Sequence, residues 1–159
     1  QAFGMDVIAY DVIPDKALKY PFVTMCSSLL ECIEQSDILS IHVPLNDQTN
    51  KLIGKKELSL MKKNSFLVNT SRGAIVDDEA LLAALTTKQI AGAALDVLEG
   101  EGVDDFVQEN SLVCYASGND NLLITPHIGG VTFQSWEKTE LFIAEKVKQY
   151  LQYGRDQEE

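Results

Sequence analysis

The sequence predicts an α/β domain built on a doubly wound parallel β-sheet, and three observations carry that prediction. Apolar runs of strand length recur along the chain, they are nearly continuous instead of alternating with polar residues, and each leads through a polar turn into a stretch with helical spacing. Continuous apolar runs suit strands covered on both faces. Strand and helix alternating at this scale imply βαβ crossovers.

Taken in order, the strand-like runs are Met5 to Tyr10, Asp37 to Val43, Ser65 to Asn69, Ile90 to Val97 and Leu122 to Thr125, with a short extra run at Phe22 to Met25 read as an edge strand. Helical spacing falls at 27–35, 55–61 and 78–86. In the last of these Leu81, Leu82 and Leu85 recur at spacings of three and four, and Asp77 and Asp78 set acid at the helix start. A final helix is expected over about Thr132 to Tyr153, with Trp136, Leu141, Phe142, Val147, Tyr150 and Leu151 on a broad apolar side that cannot stand alone. Residues 154–159 read as a mobile tail. The stretch from Leu98 to Asn121 exceeds the roughly 12–15 residues of an ordinary loop and is read as site-forming, with a short helix near Asp104 to Glu109.

The 159 residues are 45% apolar, and 13 Lys+Arg against 24 Asp+Glu give a net charge of −11. One globular domain fits that length. The negative balance argues against nucleic acid, which needs a basic face, and against an anionic membrane surface. No apolar run approaches the roughly 18 residues of a membrane span, and Gln1-Ala2-Phe3-Gly4 does not read as a signal peptide. Cys26, Cys32 and Cys114 form no CxxC pair and only two histidines exist, so no metal site is expected. Reduced thiols, in the core or near the surface, and a cytoplasmic location are expected.

Several polar positions stand out against the apolar runs. Asp11 ends the run Val7-Ile8-Ala9-Tyr10, where a dinucleotide fold uses a carboxylate to hold the adenosine ribose hydroxyls; the alternative is that Asp11 caps a turn before Pro14. Val12 and Ile13 offer no cation for a 2′-phosphate, which favours NAD over NADP. Arg72 follows the run ending Leu67-Val68-Asn69, with Gly73 permitting a sharp turn, and a guanidinium at that edge can grip a carboxylate through two parallel hydrogen bonds. His127, in Thr125-Pro126-His127-Ile128-Gly129-Gly130, can exchange a proton with a hydroxyl or carbonyl oxygen near neutral pH, or serve structure alone. A carboxylate beside it would stabilise imidazolium, and both Glu99 and Glu101 are candidates. His42 reads as structural or cofactor-adjacent.

Together these residues resemble the NAD-binding domain of the D-isomer-specific 2-hydroxyacid dehydrogenases over nearly the whole chain. The segments Asn69 to Gly73, Gly92 to Val97 and Thr125 to Gly130 match the family's three signature regions in order. By that resemblance Arg72, Glu101 and His127 are catalytic: Arg72 holds the 2-oxo acid, His127 donates and accepts the proton, and Glu101 pairs with His127. Asp11, Val43, Pro44, Thr49, Thr70, Asp96, Gly129 and Gly130 are the implied NAD contacts. A small 2-hydroxy or 2-oxo acid is the implied substrate, with a homodimer as the whole protein. A regulatory protein that senses NAD(H) on the same domain is the alternative function.

Two departures from the family pattern are visible. Gly102 follows Glu101 where the family usually has proline, and the step from Glu101 to His127 is longer than usual. The second is larger: the glycine fingerprint and its preceding strand are expected upstream of Gln1, so residues 1–153 read as a partial, Rossmann-like dinucleotide-binding domain without its first strand. On that reading the Met5–Tyr10 and Ser65–Asn69 strands lack a partner between them, at about 1–3 kcal/mol for each unpaired buried group. The isolated piece is then expected to be destabilised, prone to self-association and poor at binding NAD.

Overall fold

The computed structural model describes residues 4–13, 20–102, 109–130 and 132–155. The chain divides into two compact units, Gln1–Pro126 and His127–Glu159.

The first unit opens with β1 (Val7–Ala9), β2 (Val23–Met25) and α1 (Leu29–Gln35), followed by β3 (Ile38–Ile41), α2 (Lys55–Leu60) and β4 (Phe66–Asn69). A 3-10 turn at Gly73–Ile75 leads into α3 (Asp78–Thr86), then β5 (Gly92–Leu95), α4 (Ser111–Ala116) and β6 (Leu122–Ile124). Every strand pairing is parallel, as the sequence predicts. β1 pairs with β2, and β3, β4, β5 and β6 form a sheet in that order.

Local chemistry fixes the helix starts. Ser28 caps α1 by accepting from the Glu31 N–H, while the Glu31 carboxylate reaches back to the backbone and hydroxyl of Ser27. Asp77 caps α3 through the Ala80 N–H, and Asn110 caps α4 through the N–H groups of Leu112 and Val113.

The helices α1, α2, α3 and α4 pack in sequence, each on the next or, for α4, on α3. Ile33, Leu58, Leu81, Leu85 and Leu112 press from them onto Leu39, Ile41, Leu67 and Leu95 of the sheet. Each such side chain withdrawn from water contributes about 1.5–3 kcal/mol.

Two expectations need correction here. The sheet is not covered on both faces among the described residues: burial alternates along β3 and β4, leaving Ile38 and Phe66 exposed. The crossovers from β3 to β6 all step in one direction, and right-handed crossovers of that kind put their helices on one face. Nor does β4 border a gap, because it pairs with β3 on one side and β5 on the other. Among the described residues β1 pairs with β2 alone and β3 with β4 alone, the latter over four aligned positions, and β2 and β6 likewise have one partner each.

The Leu98 to Asn121 stretch holds a helix that the sequence reading missed, α4, nucleated by Asn110; the helix expected at 104–109 falls largely outside the described residues. In the second unit α5 (Phe133–Arg155) runs two residues past the expected end, with Gly154 inside it, and residues 156–159 lie outside the described residues. Phe133, Trp136, Leu141, Phe142 and Tyr150 on this helix are exposed. Among the described residues no helix is long and apolar enough to cross a membrane.

Candidate functional site

Parallel register aligns the carboxyl ends of the four-stranded sheet. Ile41 stands opposite Asn69, Asn69 opposite Leu95, and Leu95 opposite Ile124. The next residues, His42, Thr70, Asp96 and Thr125, therefore form a row along one edge, extended by hydrogen bonds from Asp96 N to Asn69 O and from Thr125 N to Leu95 O. Ligands of open parallel sheets collect at that edge.

The Arg72 turn rises from this row. Asn69 is 1% exposed, and its side chain accepts from the Ser71 N–H at 3.0 Å and donates to the Arg72 carbonyl at 2.9 Å. The Ser71 hydroxyl donates to the Val43 carbonyl, which ties the turn to the end of β3. Gly73 closes the other side, because a Cβ there would lie 2.0 Å from the carbonyl carbon of Leu98. The exposed guanidinium folds back to donate from Nη1 to the Ser71 carbonyl at 2.6 Å, and among the described residues no carboxylate lies within ion-pair distance of it. In a chain of net charge −11 such a cation is available to an incoming anion.

Asp96 is buried, and the Thr125 hydroxyl donates to its Oδ1. Glu101 is exposed in a turn whose Leu98 N–H approaches its Oε2 at 3.5 Å, with Gly100 at φ 80° and Gly102 at φ 91°. Glu99, the other carboxylate candidate, is exposed beside it. Val43 packs partly against the core, and the Pro44 carbonyl accepts from Thr49 Oγ1 at 2.6 Å, so Thr49 knots the loop after β3. His42 is neither within the strand nor buried: it follows β3 and shares a 2.9 Å hydrogen bond with Ser40, both exposed. Asp11 ends the β1 segment and accepts from the Ile13 N–H at 2.8 Å, the turn-capping geometry that the sequence allowed as one alternative.

His127 opens the second unit, exposed and at φ 53°, a left-handed conformation unusual for a residue with a Cβ. Gly129 and Gly130 follow, also exposed, and the Gly130 carbonyl accepts from the Ser135 hydroxyl.

The sequence reading gives Asn69 and Ser71 no role of their own and Asp78 only that of an acid at a helix start. Asp78, at the first turn of α3, is half-buried, and its carboxyl is pushed up to about 6. Burial is the main cause and the nearby charge of Glu99 the next; the Asn110 side chain and Lys51 act the other way. Cys26 and Cys32 are buried and Cys114 exposed, all as free thiols. Burial and the neighbouring Cys32 push the Cys26 thiol up to about 11.

A parallel α/β unit whose strand ends carry a carboxylate, an arginine turn and a buried aspartate has the organisation of a dinucleotide-binding domain. The chain belongs to the D-isomer specific 2-hydroxyacid dehydrogenase family, whose NAD binding domain matches residues 1–129. It is 40% identical over 154 residues to the D-3-phosphoglycerate dehydrogenase of Escherichia coli (strain K12), covering 97% of this chain and 36% of that protein. With the (S)-sulfolactate dehydrogenase of Chromohalobacter salexigens it shares 38% identity over 152 residues, 95% of this chain and 47% of the relative. Among solved structures, the D-lactate dehydrogenase of Aquifex aeolicus complexed with NAD and lactic acid superposes with TM-score 0.79 at 33% identity, covering 95% of this chain and 47% of that one. The NAD-complexed D-isomer specific 2-hydroxyacid dehydrogenase of Lactobacillus delbrueckii ssp. bulgaricus gives TM-score 0.75 at 38% identity, over 84% and 43%. The chain thus spans between about a third and a half of the length of these relatives.

The donor set fits NAD. Asp11 is followed by exposed, uncharged Val12 and Ile13, which suits a ribose diol and gives a 2′-phosphate no counter-charge.

Proposed function

We propose that the whole protein containing this chain is an NAD-dependent oxidoreductase acting at C2 of a small 2-hydroxy or 2-oxo acid. The observation that carries this reading is the Arg72 turn: a guanidinium with no carboxylate partner among the described residues, mounted on the ligand edge of a parallel sheet two residues beyond Thr70, itself in the row that also holds Asp96. Such a group suits the carboxylate of the acid through two parallel hydrogen bonds.

NAD(H), when bound, supplies or takes the hydride. The chain's own residues hold it and handle charge: Asp11 takes the adenosine ribose, and Val43, Pro44, Thr49, Thr70, Asp96, Gly129 and Gly130 line the remainder. Arg72 orients the acid. His127 gives a proton to the carbonyl oxygen on reduction and takes it back on oxidation. Glu101 is the carboxylate that stabilises the imidazolium. Orientation and placed charge are the catalytic contributions. The reading includes a homodimer, and the three free thiols suit a reducing cytoplasm.

The test is NADH oxidation by the whole protein with hydroxypyruvate, glyoxylate, pyruvate and a phosphorylated three-carbon 2-oxo acid. Turnover of at least one is the expected result. No turnover, combined with a change of oligomeric state on adding NADH, would replace this reading with that of an NAD(H)-responsive regulatory protein. Sedimentation of the same sample reports whether it is a dimer.

A further inference from the structure

We propose that Asn69 is a positioning residue for the substrate carboxylate, its buried amide setting the backbone from which Arg72 is presented; this rests on the reading of Arg72 as the carboxylate ligand. Asn69 occupies the last position of β4, on the same face as fully buried Leu67 and between partners Ile41 and Leu95. An aliphatic side chain would serve the packing there. An amide is needed only if both a donor and an acceptor are used, and both are: Nδ2 holds the Arg72 carbonyl and Oδ1 holds the Ser71 N–H. Aspartate could make one of these bonds and leucine neither.

The constraint reaches the guanidinium directly. Arg72 sits extended at φ −145°, ψ 141°, its carbonyl held by Asn69 and by the Ile75 N–H at 3.3 Å. Its head group donates to Ser71 O in the same turn. The clamped backbone and the charged group therefore form one small body, and loosening the clamp changes where the charge is offered.

A double-mutant cycle in the whole protein tests this, with kcat/KM for a 2-oxo acid and NADH affinity by fluorescence as readouts. Asn69→Ala and Asn69→Asp are each expected to lower kcat/KM by about 20-fold, mainly through KM for the oxo acid, with NADH affinity within about threefold of the parent. In an Arg72→Ala background, Asn69→Ala is expected to cost less than about twofold more, because the group it positions is already gone. Equal penalties in both backgrounds overturn the proposal and leave Asn69 a stabilising residue, as does failure of both variants to fold. If the parent itself turns over no 2-oxo acid, the functional reading falls and this inference with it; turnover by the parent with additive penalties removes Asn69 alone.

Discussion

Gly73 and Leu98 meet backbone to backbone: a Cβ on Gly73 would stand 2.0 Å from the Leu98 carbonyl carbon and 2.2 Å from the Glu99 nitrogen. The neighbouring atoms are main chain, so they cannot swing aside as a side chain could. Gly73 follows Arg72, and Leu98 begins the turn that carries Glu101, so this contact couples the guanidinium's turn to the candidate catalytic carboxylate's.

Gly73→Ala is accordingly expected to destabilise the protein by about 2–3 kcal/mol or more, the range for overpacking against an unyielding wall. Chemical denaturation measures it. A midpoint unchanged from the parent would mean the two turns separate freely.

Asp78 makes stability depend on pH in an unusual direction. Its folded value, about 6, lies above its ordinary 3.8, so folding takes up a proton between those limits. The group weakens the fold fully above about pH 6, and the penalty fades as pH falls toward 4. Burial, Glu99 and Asp77 press toward the neutral form, while Asn110 and Lys51, the latter 3.6 Å from Asp77, press the other way. Asp78→Asn should therefore raise the melting temperature more at pH 7.5 than at pH 5. A gain that is equal at both, or larger at pH 5, would contradict this origin.

His127 combines a titratable ring with a left-handed backbone. Asparagine tolerates that conformation better than most residues, so His127→Asn removes the imidazole without adding strain. For the whole protein we expect kcat to fall by about 100-fold or more, within the roughly 10²–10⁴-fold that a positioned proton donor contributes, with NADH affinity retained. Turnover at the parent rate would exclude His127 from proton transfer.

Asp11 and Val12 set the expected choice of dinucleotide. Val12 is 81% exposed, so Val12→Arg meets no packing obstacle. Combined with Asp11→Ser it should weaken NADH and strengthen NADPH binding by about ten- to a hundredfold each, as befits one charge-assisted hydrogen bond lost and one gained, at about 1.5–3 kcal/mol apiece. Calorimetric titration with both nucleotides reads the exchange; an unaltered preference would place ribose recognition elsewhere.

The sheet was legible because apolar run length is a local signal: the runs ending at Asn69 and at Val97 contain β4 and β5, and α3 matches its expected bounds of 78–86. Strand neighbours were less so, since pairing joins residues far apart, and β4 is internal instead of beside a gap. Helix α4 was hidden by the glycines and acids around it, although Asn110 is an ordinary cap. In the candidate site, Arg72 stood out from its position after a buried run, whereas Asp96 entered only through the family resemblance. The roles of Asn69 and Asp78 were not legible, because one depends on a chain that doubles back within three residues and the other on Glu99 and Asn110 arriving from distant sequence.

The Arg72 turn is bound at once to the ends of β3, β4 and the segment after β5, through Val43, Asn69 and Leu98. An ordinary surface loop trades its amide protons with solvent as it frays. Here the Ser71 proton is held by the buried Asn69 side chain at the end of β4, so deuterium uptake at this one amide would report how often that clamp lets go.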